Sequence, residues 1–247
     1  MADEFRSYVL PAADNPFAEL VASVRFDDVT NGRRGAVLVK PDPAGEVPIV
    51  RTTTRYRASA QRFGVIHERL AQDIQRLATL SCNLNNALVE HYTNAYATMK
   101  RHSDQALDLA AGSSIAIYSC YRDSRAPSRR LVVKAKEPES AAFEVPLAHG
   151  SVVAFTVDTN RRFTHTIALS ANAPENDWLG ITLRTSKTFV RVVDGHAHLS
   201  NGARLTIATD EQRRELYQLK RRENDETDFT YPPLSYTLSE SDLRPPS

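Results

Sequence analysis

Residues 114–168 read SIAIYSCYRDSRAPSRRLVVKAKEPESAAFEVPLAHGSVVAFTVDTNRRFTHTIA. This stretch contains short runs rich in apolar and β-branched residues, at 114–121, 130–135, 143–147, 152–157 and 163–168. Turns rich in Pro, Gly, Asn and Asp separate most of the runs at intervals of roughly ten residues, which is typical of an antiparallel sandwich or barrel. Similar runs flank the stretch at 87–92 and 181–193. We therefore predict a mainly β protein with a double-stranded β-helix, or jelly roll, as its core and helices packed outside.

The segments before and after this core carry helix signals. Apolar spacing predicts helices at 16–24, 60–79 and 210–223, and Thr209 with Gln212 forms a capping-box pattern at the start of the last one. The tail, 227–247, is expected to be a packed extended arm that frays at its end. We predict one domain, 1–247, with an N-terminal substrate-lid and helical part (1–84), the jelly-roll core (85–193), and a C-terminal hairpin, helix and arm (194–247).

Composition limits the possible classes of function. The chain has 247 residues with 31 Lys+Arg against 30 Asp+Glu, a net charge of +1, so nucleic-acid binding would need a local basic patch. The two cysteines, Cys82 and Cys120, have no CxxC spacing, which fits a reducing compartment. No apolar run approaches the ~20 residues that span a bilayer, and the first residues lack a secretory apolar region. We expect a cytoplasmic protein with no membrane partner.

The residues with the strongest chemical signal are His102, Asp104 and His165. If the backbone is extended at His-x-Asp, the two side chains point to the same face. Two imidazoles and one carboxylate form the facial triad that binds Fe(II) and leaves coordination positions open. A lone histidine in a strand is more often structural, but the order and spacing of this set within a β-rich stretch favour a metal site.

Further candidate residues surround this set. Arg184, followed by Ser186, can clamp a carboxylate through a guanidinium fork assisted by a hydroxyl. Arg51, Arg55 and Tyr56 lie in a segment where interleaved cations and aromatics could bind substrate. The alternative for that segment is a solvated strand edge.

The sequence resembles the Fe(II)/2-oxoglutarate-dependent oxygenase superfamily, most closely its AlkB-like branch. The stretches that carry the resemblance are 86–92, His102-Ser103-Asp104, 147–153 and 180–184. The resemblance implies that His102, Asp104 and His165 bind iron and that Tyr92 and Arg184 bind 2-oxoglutarate. It also implies that residues 51–62 form a substrate lid. The chain departs from the branch at Glu90, where Asn is usual, and at Trp178, where a second arginine is usual.

These observations predict an Fe(II)- and 2-oxoglutarate-dependent dioxygenase that hydroxylates a C–H bond of a small-molecule or amino-acid-type substrate with O2. Near-neutral charge makes nucleic acid possible but not favoured as a substrate. An AlkB-like oxidative demethylase or hydroxylase of nucleic-acid bases is the first alternative. A cupin-like binding protein without turnover is the second. The oligomeric state stays open.

Overall fold

The computed structural model describes residues 2–11 and 13–247. Its helices are α1 Phe17–Ala22, α2 Val65–Leu77, α3 Val157–Arg162 and α4 Asp210–Asp225, with short 3₁₀ turns at Ala2–Glu4 and Glu240–Leu243. The strands are β1 Arg6–Val9, β2 Asp27–Thr30, β3 Arg33–Val39, β4 Val47–Pro48, β5 Gln61–Arg62, β6 Asn86–Tyr92, β7 Ser114–Tyr121, β8 Arg129–Ala135, β9 Phe143–Leu147, β10 Ser151–Thr156, β11 Phe163–Leu169, β12 Trp178–Arg184, β13 Phe189–Val193, β14 His196–Leu199, β15 Thr206–Ile207 and β16 Tyr236–Thr237.

Two main sheets form the core. The large sheet has the order β1-β10-β7-β12-β6-β3-β2 with β5 beside β3, and the small sheet has the order β11-β8-β9. Isolated bridges from Thr98 to Ala168 and from His102 to His165 add residues 98–102 to the outer edge of β11. With 34% strand and 19% helix, the structure confirms the prediction of a mainly β jelly-roll core with flanking helices.

Successive side chains of a strand point to opposite faces of the sheet, and this alternation divides the apolar residues between two cores. Ile115 and Ile117 of β7 pack against Leu131 and Val133 of β8 in the space between the sheets. Their neighbours on β7, such as Tyr118, face the other side of the large sheet and pack against α1 and α2. Burying each large side chain stabilises the fold by about 1.5–3 kcal/mol, so strand register is strongly fixed. The functional site lies in the inter-sheet space, next to the first core.

The predicted run at 181–193 is interrupted in the structure. It divides into β12 and β13 because Ser186 leaves the sheet: its hydroxyl donates to the carbonyl of Ile49 at 2.6 Å, and Lys187 N donates to Asp108 O at 2.8 Å. Helix α2 begins only after Gly64, later than the predicted start at residue 60. Residues 49–56, although rich in β-branched side chains, contain no strand, since β4 ends at Pro48.

The C-terminal region follows its prediction in part. The capping box of Thr209 and Gln212 starts α4 as expected. The expected fraying of the last residues is wrong, because Ser247 N donates to Ala60 O at 2.9 Å and Arg62 N donates to Ser247 O at 2.9 Å. Helix α3 has no counterpart among the predicted helices; the Thr156 side chain caps it by accepting from Thr159 N.

Within the described parts of the chain, no helix combines the length and apolar character needed to cross a membrane.

Candidate active site

Two histidines face each other across the edge of the small sheet. His102 and His165 form an antiparallel bridge in which His102 N donates to His165 O at 2.9 Å and His165 N donates to His102 O at 2.7 Å. Directly opposed residues of an antiparallel pair project to the same face, so both imidazoles point the same way. Their ring centroids lie 4.6 Å apart. The Nδ1 of His102 donates to Lys100 O at 2.9 Å, which leaves its Nε2 as a lone-pair donor.

The backbone of Asp104 is fixed from two sides. Asp104 N donates to Asn160 Oδ1, and Asn160 Nδ2 donates back to Asp104 O, both at 2.8 Å, so helix α3 holds this residue in place. The preceding Ser103 donates its hydroxyl to Phe163 O at 2.8 Å, and its N–H donates to Asn224 Oδ1 on α4 at 2.8 Å. The loop that carries the carboxylate is therefore tied to three separate elements, α3, β11 and α4.

The two carboxylate oxygens of Asp104 have different neighbours. Oδ2 accepts from both Nε and Nη2 of Arg184, at 2.8 and 2.7 Å. Oδ1 faces the histidines, 3.6 Å from Nε2 of His165 and 3.8 Å from Nε2 of His102. One oxygen thus serves the arginine while the other stays available on the histidine side.

Electrostatics keep all three side chains in the forms that bind metal. Burial acts to raise the pKa of Asp104, but the charges of Arg184, His165 and His102 outweigh it and lower that pKa to about 2. Burial, followed by repulsion from His102, lowers the pKa of His165 to about 3, and burial also lowers the pKa of His102. At neutral pH the carboxylate is ionised and the imidazoles are neutral, as metal ligation requires.

The geometry fits one small cation. Nitrogen or oxygen ligands lie about 2.0–2.2 Å from such an ion, so two ligands of one ion are at most about 4.4 Å apart. The two histidine-to-carboxylate distances of 3.6 and 3.8 Å meet this limit. All three ligand atoms lie within 4.8 Å of one another. The donor set is the two-histidine, one-carboxylate triad typical of non-haem Fe(II).

A cavity of about 610 Å³ opens over this triad. Its floor contains the triad and Arg184, and its inner wall comes from Leu88 and Glu90 on β6. Helix α4 and Thr52–Thr54 border its mouth, where Lys220 Nζ donates to Thr53 Oγ1 at 2.7 Å. This volume lies within the range of about 300–1,000 Å³ that small-molecule sites occupy.

Arg33 supplies a second guanidinium to the cavity wall. Its position on β3 is opposite Tyr92 on β6, and Trp178 on β12 is opposite the other side of Tyr92, so the three residues form a row across the large sheet. Arg33 Nε donates to Glu90 Oε1 at 2.8 Å, and its Cζ lies 6.0 Å from the Tyr92 ring centroid. The Tyr92 hydroxyl is buried without a hydrogen-bond partner among the described residues.

The structure brings the predicted ligand set and Arg184 together, but not every other predicted residue. Tyr92 is fully buried behind Arg33 and does not line the cavity. Ser186 is bound to backbone groups outside the cavity, including Ile49 O, so it does not assist Arg184. These positions correct the predictions that Tyr92 binds 2-oxoglutarate and that Ser186 assists Arg184.

The predicted substrate residues Arg51, Arg55 and Tyr56 also lie outside the cavity lining. Arg51 is buried and paired with Asp108 at 2.7 Å, Arg55 is exposed, and Tyr56 is buried with its ring against Gly35. The segment does border the mouth, as predicted for 51–62, but it does so through Thr52–Thr54. At the cavity mouth the segment therefore presents the threonine side chains of Thr52–Thr54 instead of its arginines.

Sequence reasoning missed Asn160, Arg33 and the polar face of α4. Asn160 and Arg33 belong to no motif, and only the tertiary fold brings them to the site. The α4 face had a detectable signal, because Tyr217, Lys220, Arg221 and Asn224 follow the i, i+3, i+4, i+7 spacing of one helix face.

Known proteins share sequence or structural features with this chain. A family model described as "2OG-Fe(II) oxygenase superfamily" matches residues 40–207. No curated protein matches the chain by sequence. A solved structure entitled "The structure of OsALKBH1" is similar with a TM-score of 0.44 and 15% sequence identity, covering 65% of this chain and 83% of that chain. The residues matched by the family model include the triad and Arg184 and end before α4.

Proposed function

The chain belongs to the 2OG-Fe(II) oxygenase superfamily, and from this membership we propose that it hydroxylates a C–H bond of a small-molecule substrate. Membership makes it an oxidoreductase whose cofactors are Fe(II) and 2-oxoglutarate, as the sequence predicted. It also sets aside the alternative of a cupin-like protein without turnover. The observation that supports the proposal most directly is the triad of His102, Asp104 and His165 at the base of a cavity of about 610 Å³.

The residues of the triad would hold the iron, and Arg184 would keep Asp104 oriented toward it. Bound Fe(II), with 2-oxoglutarate and O2, supplies the oxidising power that converts a C–H bond to C–OH while the cosubstrate becomes succinate and CO2. Asn160 and Ser103 fix the loop that carries Asp104, so the ligand geometry is set before any ligand enters.

Arg33 is the best candidate to bind the distal carboxylate of 2-oxoglutarate. Arg184 is already bonded to Asp104, which places its guanidinium at the metal end of the cavity. The distal carboxylate of a five-carbon diacid lies several carbon atoms from its chelating end, so it needs another cation. Arg33 lines the same cavity. A carboxylate there would bind its guanidinium through charge-assisted hydrogen bonds.

A small molecule is favoured over a nucleic-acid base because the cavity, at about 610 Å³, has the volume of a small-molecule site. The chain also has almost no net charge, +1 in 247 residues. Oxidation of nucleic-acid bases is the alternative, and the experiment below distinguishes it from oxidation of a small molecule.

The proposal is tested by Fe(II)- and O2-dependent release of succinate from 2-oxoglutarate, measured against panels of small metabolites and of methylated oligonucleotides. We expect succinate release that a small metabolite stimulates. Asp104→Asn keeps the shape of the side chain but removes the ligand charge, so we expect Fe(II) affinity to fall by more than about 100-fold and turnover to disappear. Asp123→Asn is the matched control, because the Asp123 side chain is partly exposed and lies outside the cavity lining.

Absence of succinate from the iron-loaded protein under all conditions would contradict the oxygenase proposal. Stimulation by methylated oligonucleotides and by no metabolite would support the nucleic-acid alternative. An Asp104→Asn protein that binds one equivalent of Fe(II) as tightly as the unchanged protein would contradict the ligand assignment.

A further inference from the structure

The cavity over the triad has an excess of positive charge. Six basic side chains line it, Arg33, Lys100, Arg101, Arg184, Lys220 and Arg221, against two acidic ones, Glu90 and Asp104. Arg33 pairs with Glu90, and Arg184 pairs with Asp104. The other four cations have no carboxylate within 4.0 Å among the described residues.

These four cations come from two sides of the mouth. Lys100 and Arg101 immediately precede the ligand His102, and Lys220 and Arg221 project from α4. Burial lowers the pKa of Lys220 below its usual value. Repulsion from Arg33 and Lys100 acts in the same direction, while attraction to Glu223 and Asp104 opposes it. Charges of one sign gathered at a partly buried mouth are unfavourable in the empty protein. An anionic ligand would relieve this repulsion.

Helix α4 has two faces with different functions. Leu216, Leu219 and Glu223 are buried on its inner face, while Tyr217, Lys220, Arg221 and Asn224 line the cavity. Tyr217 is 40% exposed, so the same face offers an aromatic surface beside two cations. The helix lies beyond residue 207, where the match to the family model ends. The basic face is therefore a property of this chain rather than part of the matched core.

We propose that the substrate is a small anionic molecule whose carboxylate or phosphate group binds Lys220 and Arg221 of α4, opposite Lys100 and Arg101. This inference rests on the proposed oxygenase function and names its substrate class. The acidic group would stay at the mouth and orient the rest of the molecule toward the iron. Tyr217 and Met99 would pack against its apolar part.

A polyanionic strand fits the same surface less well. The groove next to the mouth shares Arg101 and Arg221 with it and adds Lys134 and Lys136, but Glu137, Glu139 and Asp225 line the groove too. A nucleic-acid backbone needs a continuous cationic path, and these carboxylates interrupt it.

The test uses full-length protein loaded with Fe(II) and 2-oxoglutarate without oxygen, so that the cosubstrate site is filled and no turnover occurs. Phenyl phosphate, benzoate and neutral benzamide are titrated at low ionic strength by calorimetry. We expect benzamide to bind at least about tenfold more weakly than the two anions. Lys220→Ala/Arg221→Ala should remove this preference, and Lys220→Arg/Arg221→Lys should retain it, because charge is conserved.

Arg213→Ala/Arg214→Ala is the matched control, because it removes two charges from the same helix at positions outside the cavity lining. It should bind the anions like the unchanged protein. If the double alanine variant fails to fold by circular dichroism, the exposed single variant Arg221→Ala replaces it, with a smaller loss in the same direction.

Equal binding of benzamide and benzoate would overturn the inference, and so would an undiminished anion preference in folded Arg221→Ala and in the double variant. Binding of a short single-stranded oligonucleotide at least about tenfold tighter than phenyl phosphate, with a steeper salt dependence, would also overturn it in favour of a nucleic acid. Succinate release by the unchanged protein is measured separately. Release without anion preference refutes this inference alone, whereas anion preference without release refutes only the oxygenase proposal.

Discussion

At the scale of single residues, the site depends on one carboxylate whose two oxygens have different partners. Asp104 turns Oδ2 to Arg184 and Oδ1 to the two histidines. Two N–H groups of one guanidinium hold Oδ2 in place, so Oδ1 is positioned for a metal without help from the metal. Arg184 is therefore a positioning residue for the iron ligand. The sequence predicted a different role for it, as the anchor of the distal carboxylate.

We expect Arg184→Lys to weaken Fe(II) binding by about 10–100-fold, because the lysine keeps the charge but loses the fork that orients Asp104. Anaerobic titration of Fe(II) into the apoprotein measures this affinity. The apparent affinity for 2-oxoglutarate at saturating iron should change less than the iron affinity. The opposite order, with unchanged iron affinity and a large loss of 2-oxoglutarate affinity, would restore the role predicted from the sequence.

Arg33→Lys should produce the complementary result. We expect the KM for 2-oxoglutarate to rise by about tenfold or more, the size of a lost charged hydrogen bond, with Fe(II) affinity unchanged. Glu90→Gln should lower this KM, because it removes the carboxylate that competes for Arg33. Arg34→Lys is the control, since Arg34 bonds His91 instead of Glu90. A normal KM in folded Arg33→Lys would mean that another cation holds the distal carboxylate.

At the scale of elements, α4 connects the cavity mouth to the loop that carries Asp104. Glu223 on its buried face accepts from Ala106 N at 2.8 Å and from the Tyr231 hydroxyl at 2.6 Å. Burial raises the pKa of Glu223 to about 7, although these hydrogen bonds and Lys136 act to lower it. The helix is thus anchored beneath its basic face by a carboxyl group that burial makes costly to ionise.

This anchor predicts a pH-dependent stability. Because the pKa of Glu223 is higher in the folded protein than the ordinary value of 4.5, the protonated carboxyl stabilises the fold fully below pH 4.5. That contribution is lost as the pH rises through about 7. Glu223→Gln cannot ionise, so the stability difference between the two proteins should change by on the order of 3 kcal/mol across this window. Urea unfolding from pH 4 to pH 8 measures it, and parallel curves for the two proteins would contradict the prediction.

At the scale of the whole molecule, Arg51 ties together three distant parts of the chain. Its guanidinium pairs with Asp108 at 2.7 Å and donates from Nη1 to Leu234 O, also at 2.7 Å. The C-terminal arm continues along the same segment, where Ser239 Oγ donates to Thr54 O at 2.9 Å. The segment predicted to be a substrate lid is thus fastened to the jelly roll and covered by the arm.

We expect Arg51→Ala to lower the free energy of unfolding by about 3–5 kcal/mol, because the buried Asp108 carboxylate loses its counter-ion and keeps only the hydrogen bond from the backbone N–H of residue 51. Arg55→Ala, four residues away and exposed, should change it by no more than about 0.5 kcal/mol. Urea denaturation of the three proteins makes the comparison. An Arg51→Ala protein of unchanged stability with weakened binding of phenyl phosphate would instead support the substrate role predicted from the sequence.

Local patterns in the sequence determined much of this protein. Alternation and turn residues located the strands of the jelly roll, with β7 and β9 at their predicted bounds, and the capping box located the start of α4. These predictions succeed because side-chain alternation and capping depend on neighbours within a few residues. The triad was also predictable, since His-x-Asp and a later strand histidine occur in a recognisable order.

Only the tertiary structure decided which charged groups belong to the site. Arg51 and Arg33 carry no local signal that separates their roles, yet Arg51 is paired with Asp108 and Arg33 lines the cavity. Asn160 reaches Asp104 across 56 residues of chain, and Lys220 reaches Thr53 across 167. A long polar side chain carries no local sign of its partner, because its energy depends on burial and on charges that only the folded chain brings near.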